Sequence, residues 1–418
     1  MNTILLVLSL AALLPAPAAA QDAAATIGSR LMLDESVKGA IDRVRRDEGQ
    51  VIEDQVRICE IPAPPFQETA RGIALRRAFE SLGLRNVRVD AVGNVIGDRP
   101  GTSPRPRLAF TAHLDTVFPE GTKVETRREG SVIRGPGIGD DCRGLAVLLG
   151  VIRQLNAANI QTPGTITFVA TVGEEGLGDL RGVKHLFSTE LAGQIDRFVS
   201  VDGTGLGITT TAVGSLRYRV TFSGPGGHSY GAFGLANPVH ALGRAIAHIG
   251  DLQVPRTPKT TFNVGRIGGG TSVNSIPFEA WAEVDMRSAD AASLKALDAG
   301  FHKAVDLALA EENERWGNNG RLTVEKKLVG NRPAGRTPPD SPILQAAISV
   351  TRAIGGEIEV GEGSTDSNIA ISLGVPAVTV DGGGGGSGAH SLGEAFDATD
   401  SWKGTARALL LAIALAQK

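Results

Sequence analysis

From Met32 to Arg57, and again from Glu68 to Leu82, apolar residues recur at the spacing of an amphipathic helix. Short β-type runs follow at Val87–Val92 and Leu108–Ala112, each bounded by Pro, Gly or Asn turns. Gly144 to Ala157 is apolar at helical spacing, while Thr165–Val172 (TITFVATV) and Arg197–Val201 (RFVSV) read as buried strands. Strands alternating with helices predict an α/β fold on a doubly wound, mainly parallel sheet.

The pattern changes near Thr211. Leu216 to Phe222 alternates apolar and polar, as a strand with one wet face does. A helix at Pro238–Ile249, strands at Thr260–Ile267 and Phe278–Arg287, a helix at Ala291–Glu314 and a strand at Arg321–Leu328 complete a βαββαβ order. That order predicts a ferredoxin-like α+β domain over 212–329. From Ser341 the α/β character returns, with helices at Pro342–Ile354 and Ser401–Ala416 around a strand at Val378–Asp381. The larger domain is therefore expected to be discontinuous, 21–211 and 330–418.

Composition narrows the classes. The chain has 418 residues, 42% hydrophobic, with net charge −3 and no dense Lys/Arg run. This disfavours a nucleic-acid binder, which normally shows a basic face. Ile4–Leu14 is an apolar run too short to span a bilayer comfortably, and Pro15, Pro17 and Ala18-Ala19-Ala20 follow it. Residues 1–20 read as a signal peptide without a basic n-region, the rival being a retained anchor. The mature chain is expected to be periplasmic or secreted, with no further membrane segment. The only cysteines, Cys59 and Cys142, allow one pairing, and two buried thiols are the simpler expectation. Glycine is in excess, 54 of 418 residues, against an average of about 7%.

Candidate chemistry gathers at strand ends. His113-Leu114-Asp115 follows one strand, and i and i+2 share a face of an extended segment. The Asp115 carboxylate is thus expected to accept a hydrogen bond from the imidazole, an arrangement that orients metal ligands. Asp140-Asp141 precede a helix; Glu174-Glu175, Asp202 and His390 each follow a strand. In open α/β sheets, ligands bind outside the carboxyl ends of strands. Two imidazoles with several carboxylates suit zinc, with cobalt or manganese as substitutes. The surplus of acids points to two metals bridged by a carboxylate, a site that polarises a carbonyl and generates hydroxide near neutral pH. One glutamate is left over as proton shuttle. There is no HExxH or P-loop motif. His185, His240, His248 and His302 lie in predicted helices without acidic partners at ligand spacing and read as structural.

The blocks AHLDTV (112–117), GPGIGDDCRG (135–144), VGEEGLG (172–178), VDG (201–203), GPGGHS (224–229), STDSN (364–368) and AHSLGE (389–394) carry a resemblance. In order and spacing the chain resembles the co-catalytic zinc exopeptidase and amidohydrolase family of peptidase T, carboxypeptidase G, aminoacylase, acetylornithine deacetylase and succinyl-diaminopimelate desuccinylase. The resemblance implies two Zn2+ ions, with His113 and His390 each holding one, Asp140 bridging, and Glu175 and Asp202 completing the ligand sets. It implies Glu174 as general base, Asp115 as the residue orienting His113, and a cis Asp140–Asp141 peptide. The inserted domain would be a dimerisation lid, and its His228 would reach the partner's active site to stabilise an oxyanion. Asn274 and Arg287 occupy lid positions suited to a substrate carboxylate, although Arg287 equally suits a strand-face ion pair. Asp366 would frame the substrate from the large domain. Relatives often carry lysine after the two aspartates; here Cys142 takes that place and Arg143 follows. The activity implied is hydrolysis of an amide bond in a small peptide or N-acyl amino acid. VDG and GEE lean to a peptidase T-like aminopeptidase, with carboxypeptidase or deacylase as alternative. A catalytically inactive binding protein on the same fold is the non-enzyme alternative.

Overall fold

Strand Thr165–Thr171 is buried at every position, and Arg107–His113 at all but its first, as strands covered on both faces must be. In the computed structural model, which describes residues 23–417, they sit at the centre of a nine-stranded sheet. The signal segment expected at 1–20 lies outside the described residues. Four neighbouring strands are parallel, in the order Thr165–Thr171, Arg107–His113, Arg197–Val201, Ala377–Val380. Antiparallel pairs flank them: Val95–Arg99 with Arg85–Val89 on one side, and Ile208–Ala212 with Gly335–Arg336 on the other. Val360–Gly363 adds in parallel to Ile208–Ala212.

One face of this sheet is covered by helices Glu35–Cys59, Cys142–Ala157, Pro342–Ala353 and Trp402–Leu415 around the largest apolar cluster. The Asp34 side chain caps the first of these, accepting from Ser36 N and Val37 N. A smaller cluster that includes Ile96, Val169, Val183 and Phe198 fills the other face.

The inserted unit is a four-stranded antiparallel sheet in the order Thr260–Gly269, Glu279–Ser288, Gly214–Ser223, Thr323–Arg332. Helices Pro238–Gly250 and Ala291–Arg315 pack on one face of it over a core of its own. Strand Glu279–Ser288 alternates half-buried and buried at every step, which is the one-sided burial its pattern predicts. Its sheet spans Gly214 to Arg332.

A third, small antiparallel sheet links Gly385–Ser387, Ala395–Asp397, Val132–Arg134 and Arg127–Glu129. Short strands such as these, and Val95–Arg99, escape the periodicity. In VIGDR the polar Asp98 is buried, satisfied by Thr167 Oγ1 at 2.7 Å and Arg107 Nη1 at 3.2 Å. Neither partner is local in sequence.

Candidate metal centre and active site

The sheet order places the chemistry. His113 ends its strand, Asp202 directly follows Val201, and Glu174 and Glu175 stand just beyond Thr171. These three strands are adjacent and parallel, so their carboxyl ends present the side chains along one rim. Asp140 comes from the turn before helix Cys142–Ala157, and His390 from the loop after Ala377–Val380. The Asp140–Asp141 peptide is cis.

Asp140 is the centre of the cluster. Its Oδ1 lies 3.0 Å from His113 Nε2 and its Oδ2 3.0 Å from His390 Nε2. His390 Nε2 is also 3.0 Å from Glu175 Oε1, and His113 Nε2 is 3.9 Å from Asp202 Oδ1. Ligand atoms converge within 4.8 Å in the groups His113–Asp140–Asp202 and Asp140–Glu175–His390, and also in His113–Glu174–Glu175. The first two groups share Asp140 and each contain one imidazole. That donor set fits two divalent ions bridged by one carboxylate.

Electrostatics agree with a site built for cations. Burial drives the Asp202 carboxyl up to about 7 and the Asp141 and Glu174 carboxyls well above their usual range. Arg332 opposes that shift at Glu174, while the neighbouring Glu175 charge adds to it. Hydrogen bonds to Asp140 and then Glu175 raise His390 to about 10. Burial alone lowers an imidazole, but at His113 the Asp140 hydrogen bond and the charges of Asp141 and Asp202 outweigh it. Burial works against ionised Asp140, yet its hydrogen bonds to His113 and His390 hold the carboxyl below the usual range.

Backbone amides of the ligand loops are laced together by carboxylates. Asp115 accepts from Glu174 N at 3.0 Å and Glu175 N at 2.8 Å. Asp141 accepts from His113 N at 3.0 Å and caps its helix at Gly144 N. These contacts correct the expected role of the Asp115 carboxylate. The His113 ring meets the Asp115 backbone carbonyl, Nδ1 to O at 3.0 Å, while the nearer carboxylate oxygen stands 3.8 Å away. A carbonyl only accepts, so Nδ1 carries the hydrogen and Nε2 is free to ligate. The residue was legible in HxD, but the atom was not, because two amides compete for the carboxylate.

Other expectations shift as well. Asp366 is buried, and its Oδ2 accepts from Thr171 Oγ1 at 2.6 Å at the end of the strand that leads to Glu174. Arg287 forms the strand-face ion pair, Nε to Asp285 Oδ2 at 2.7 Å. Asn274 is exposed in the lid, where its Oδ1 accepts from Ser272 Oγ and its carbonyl from Ser229 N. His228 is exposed, its Nδ1 accepting from Tyr230 N and Gly231 N at 3.2 Å each. His248, His240 and His302 do have acidic partners: Glu311 at 2.9 Å and Glu312 at 3.7 Å on the other lid helix, and Asp298 at 3.5 Å one turn back on its own. Cys59 and Cys142 are buried free thiols.

One important residue left no mark in the sequence. Arg332, buried at the end of the last lid strand, donates Nη1 to Glu174 Oε1 at 3.1 Å and Nη2 to the Glu174 carbonyl. Arg217 donates to the Gly176 carbonyl of the same loop, and Asn331 N to Asp179 Oδ1 at 2.7 Å. The lid thus grips the loop that bears the two glutamates. A lone arginine at a strand end carries no motif that announces this.

Candidate metal ligands thus gather at the rim of the parallel sheet, beside a ferredoxin-like insertion whose Arg332 touches Glu174. Residues 109–414 match the profile of Peptidase family M20/M25/M40. The chain is 27% identical over 341 residues to succinyl-diaminopimelate desuccinylase of Nitrosospira multiformis, covering 76% of this chain and 86% of that one. It is 27% identical over 331 residues to carboxypeptidase G2 of Pseudomonas sp., covering 74% and 75%. Its fold matches aminopeptidase PepT of Bacillus cereus with a TM-score of 0.68 at 23% identity, over 88% of this chain and 98% of that one. The chain belongs to Peptidase family M20/M25/M40 and is a hydrolase, as the motif blocks implied.

Proposed function

We propose that the chain hydrolyses an amide bond in a short peptide or N-acyl amino acid, using two zinc ions and Glu174 as general base. The observation that carries this reading is the pair of ligand groups sharing Asp140, with a fourth carboxylate, the buried Glu174, beside them. His113 and Asp202 would hold one ion, His390 and Glu175 the other, and Asp140 both. The ions supply Lewis-acid polarisation of the scissile carbonyl and make water acidic enough to attack. Cobalt or manganese suits the same donors.

Glu174 then takes the proton from the attacking water and passes it to the departing amine. Its burial favours the protonated form that the second transfer needs, while Arg332 favours the ionised form that the first needs. A base poised between the two serves both steps. His228 suits oxyanion stabilisation, because two backbone N–H groups occupy Nδ1 and leave the hydrogen on Nε2. We place this residue in the active site of a second subunit, joined through the lid.

The finer reading, a peptidase T-like aminopeptidase on di- and tripeptides, rests on the VDG and GEE blocks. A second reading, carboxypeptidase or N-acyl deacylase, is favoured by the desuccinylase and carboxypeptidase G2 relatives. A panel of di-, tri- and N-acetylated peptides with metal analysis separates them, since an aminopeptidase leaves N-blocked substrates intact. In the same assay Glu174→Gln should retain both metals and lose about 10²- to 10⁴-fold in kcat. Turnover at the wild-type rate would remove Glu174 from the mechanism. The signal-peptide reading places the enzyme in the periplasm or outside the cell.

A further inference from the structure

Asp140 and His390 must meet within hydrogen-bonding distance although 250 residues separate them in sequence. The small antiparallel sheet begins this task. Gly385–Ser387 and Ala395–Asp397 flank the His390 loop, and Ala395–Asp397 pairs with Val132–Arg134, which leads into the Asp140 loop. Beyond the end of that pairing, contact passes to one residue, Glu394.

The Glu394 carbonyl accepts from Gly135 N at 3.0 Å. Its carboxylate accepts three more amides of the same loop: Oε2 from Gly137 N at 3.0 Å, and Oε1 from Gly139 N at 2.8 Å and Asp140 N at 3.0 Å. Glu394 is only 2% exposed, so these amides have no water to replace a lost acceptor. The loop is shaped around the carboxylate. A Cβ on Gly139 would stand 3.2 Å from Glu394 Oε1 and 2.9 Å from Thr204 Cγ2.

The two histidines depend on this clamp unequally. His113 is buried and anchored on its own side by the Asp115 carbonyl and by Asp141. The His390 side chain is 54% exposed, its loop is glycine-rich, and among the described residues its ring's polar partners are Asp140 and Glu175. We propose that Glu394 is a positioning residue that fixes the Asp140 carboxylate against His390 and so sets the affinity of the metal site formed by Asp140, Glu175 and His390. The inference rests on the two-metal reading above. It adds an asymmetry which that reading does not contain: loss of Glu394 weakens one ion far more than the other.

Glu394→Gln tests this. The amide keeps one acceptor oxygen but turns an NH2 toward a backbone N–H, so the cradle opens with little change in volume. Metal-stripped full-length protein is titrated with Co2+, using visible absorption and chelator competition to resolve the two dissociation constants. The expected result is one constant weakened about 10- to 100-fold, the usual effect of losing a partner outside the ligand set, and the other unchanged. Saturating Co2+ should then recover most of the activity lost at limiting metal. Two wild-type constants overturn the proposal, and so do two constants weakened alike, the mark of general loosening. If the glutamine variant does not fold, Glu394→Asp keeps the charge but withdraws it by one methylene, and the same asymmetry decides. Wild-type protein that binds two ions and cleaves no amide refutes the functional reading while leaving this comparison intact. Failure to bind a second ion refutes both.

Discussion

At the scale of single residues, most of the shifted groups in the candidate ligand cluster hold more protons folded than unfolded. His390 keeps its proton to about 10 against an ordinary 6.5, through its hydrogen bonds to Asp140 and then Glu175. A group raised in this way stabilises the fold fully below its unfolded value and loses that contribution as pH rises through the folded one. Asp202, pushed by burial from 3.8 to about 7, acts in the same direction, because its charged form is disfavoured in the fold. Asp140 acts oppositely, but its contribution disappears only in acid. Metal-stripped protein should therefore lose thermal stability as pH rises from 6.5 to about 10. Metal-loaded protein should not follow it, since ligation has already displaced the protons. Thermal unfolding of both forms across that range checks the point, and parallel curves would show that these protons do not govern the site. The same competition makes metal affinity increase with pH.

At the scale of elements, helix Cys142–Ala157 is held in place by a residue whose importance the sequence showed only as a displaced charge. Arg143 is fully buried. It pairs with Glu48 at 2.8 Å and donates to the Gly382 and Ser401 carbonyls at 2.7 Å each. It thereby joins helix Glu35–Cys59, the glycine run and the C-terminal helix behind the Asp140 turn. Removing one partner of a buried pair leaves the other charge uncompensated, at a cost of about 3–5 kcal/mol. Arg143→Met should lower unfolding stability by that amount in denaturant titration, with the denaturant dependence unchanged; a loss under 1 kcal/mol, the value of an exposed pair, would contradict the assignment. Arg143 also shows what could be read from sequence. Long helices and the central strands were legible because their side chains bury on one face or both, a property local to each segment. The candidate ligands were legible because His113, Glu175 and Asp202 stand at or just beyond strand ends, Asp140 just before a helix, and all of them with His390 in motif blocks. The hydrogen bonds of Asp115, the burial of Asp366 and the grip of Arg332 on Glu174 were not. Each depends on which distant backbone group competes for the side chain, and only tertiary structure decides that.

At the scale of the whole molecule, the lid presents a group of exposed apolar side chains around one short strand pairing. Tyr230, Phe233, Val273 and Phe278 are 90%, 78%, 102% and 59% exposed. They lie in the segments on either side of the short pairing of Gly227–His228 with Ser275–Ile276. Strand Thr260–Gly269 leaves one edge of the lid sheet unpaired within the chain. Exposed apolar side chains and a free sheet edge are features that proteins usually cover, and a second copy of the lid would cover both. Within this chain, the hydrogen bonds of His228 are to its own turn, whereas Arg217 and Arg332 bind the Glu174 loop directly. A histidine that serves the site from the partner subunit reconciles these facts. His228→Ala and Glu174→Gln should each be nearly inactive alone. Co-expressed in equal amounts, they should recover activity, because a mixed dimer contains one site with an intact Glu174 and a functional His228. For random pairing in a two-fold dimer, half the dimers are mixed and half their sites complete, about a quarter of the wild-type activity. Tagging the two variants differently and purifying the mixed dimer should raise this to about half. No recovery in a purified mixed dimer would show that His228 serves its own subunit or none, and a monomer at assay concentration would remove the partner altogether.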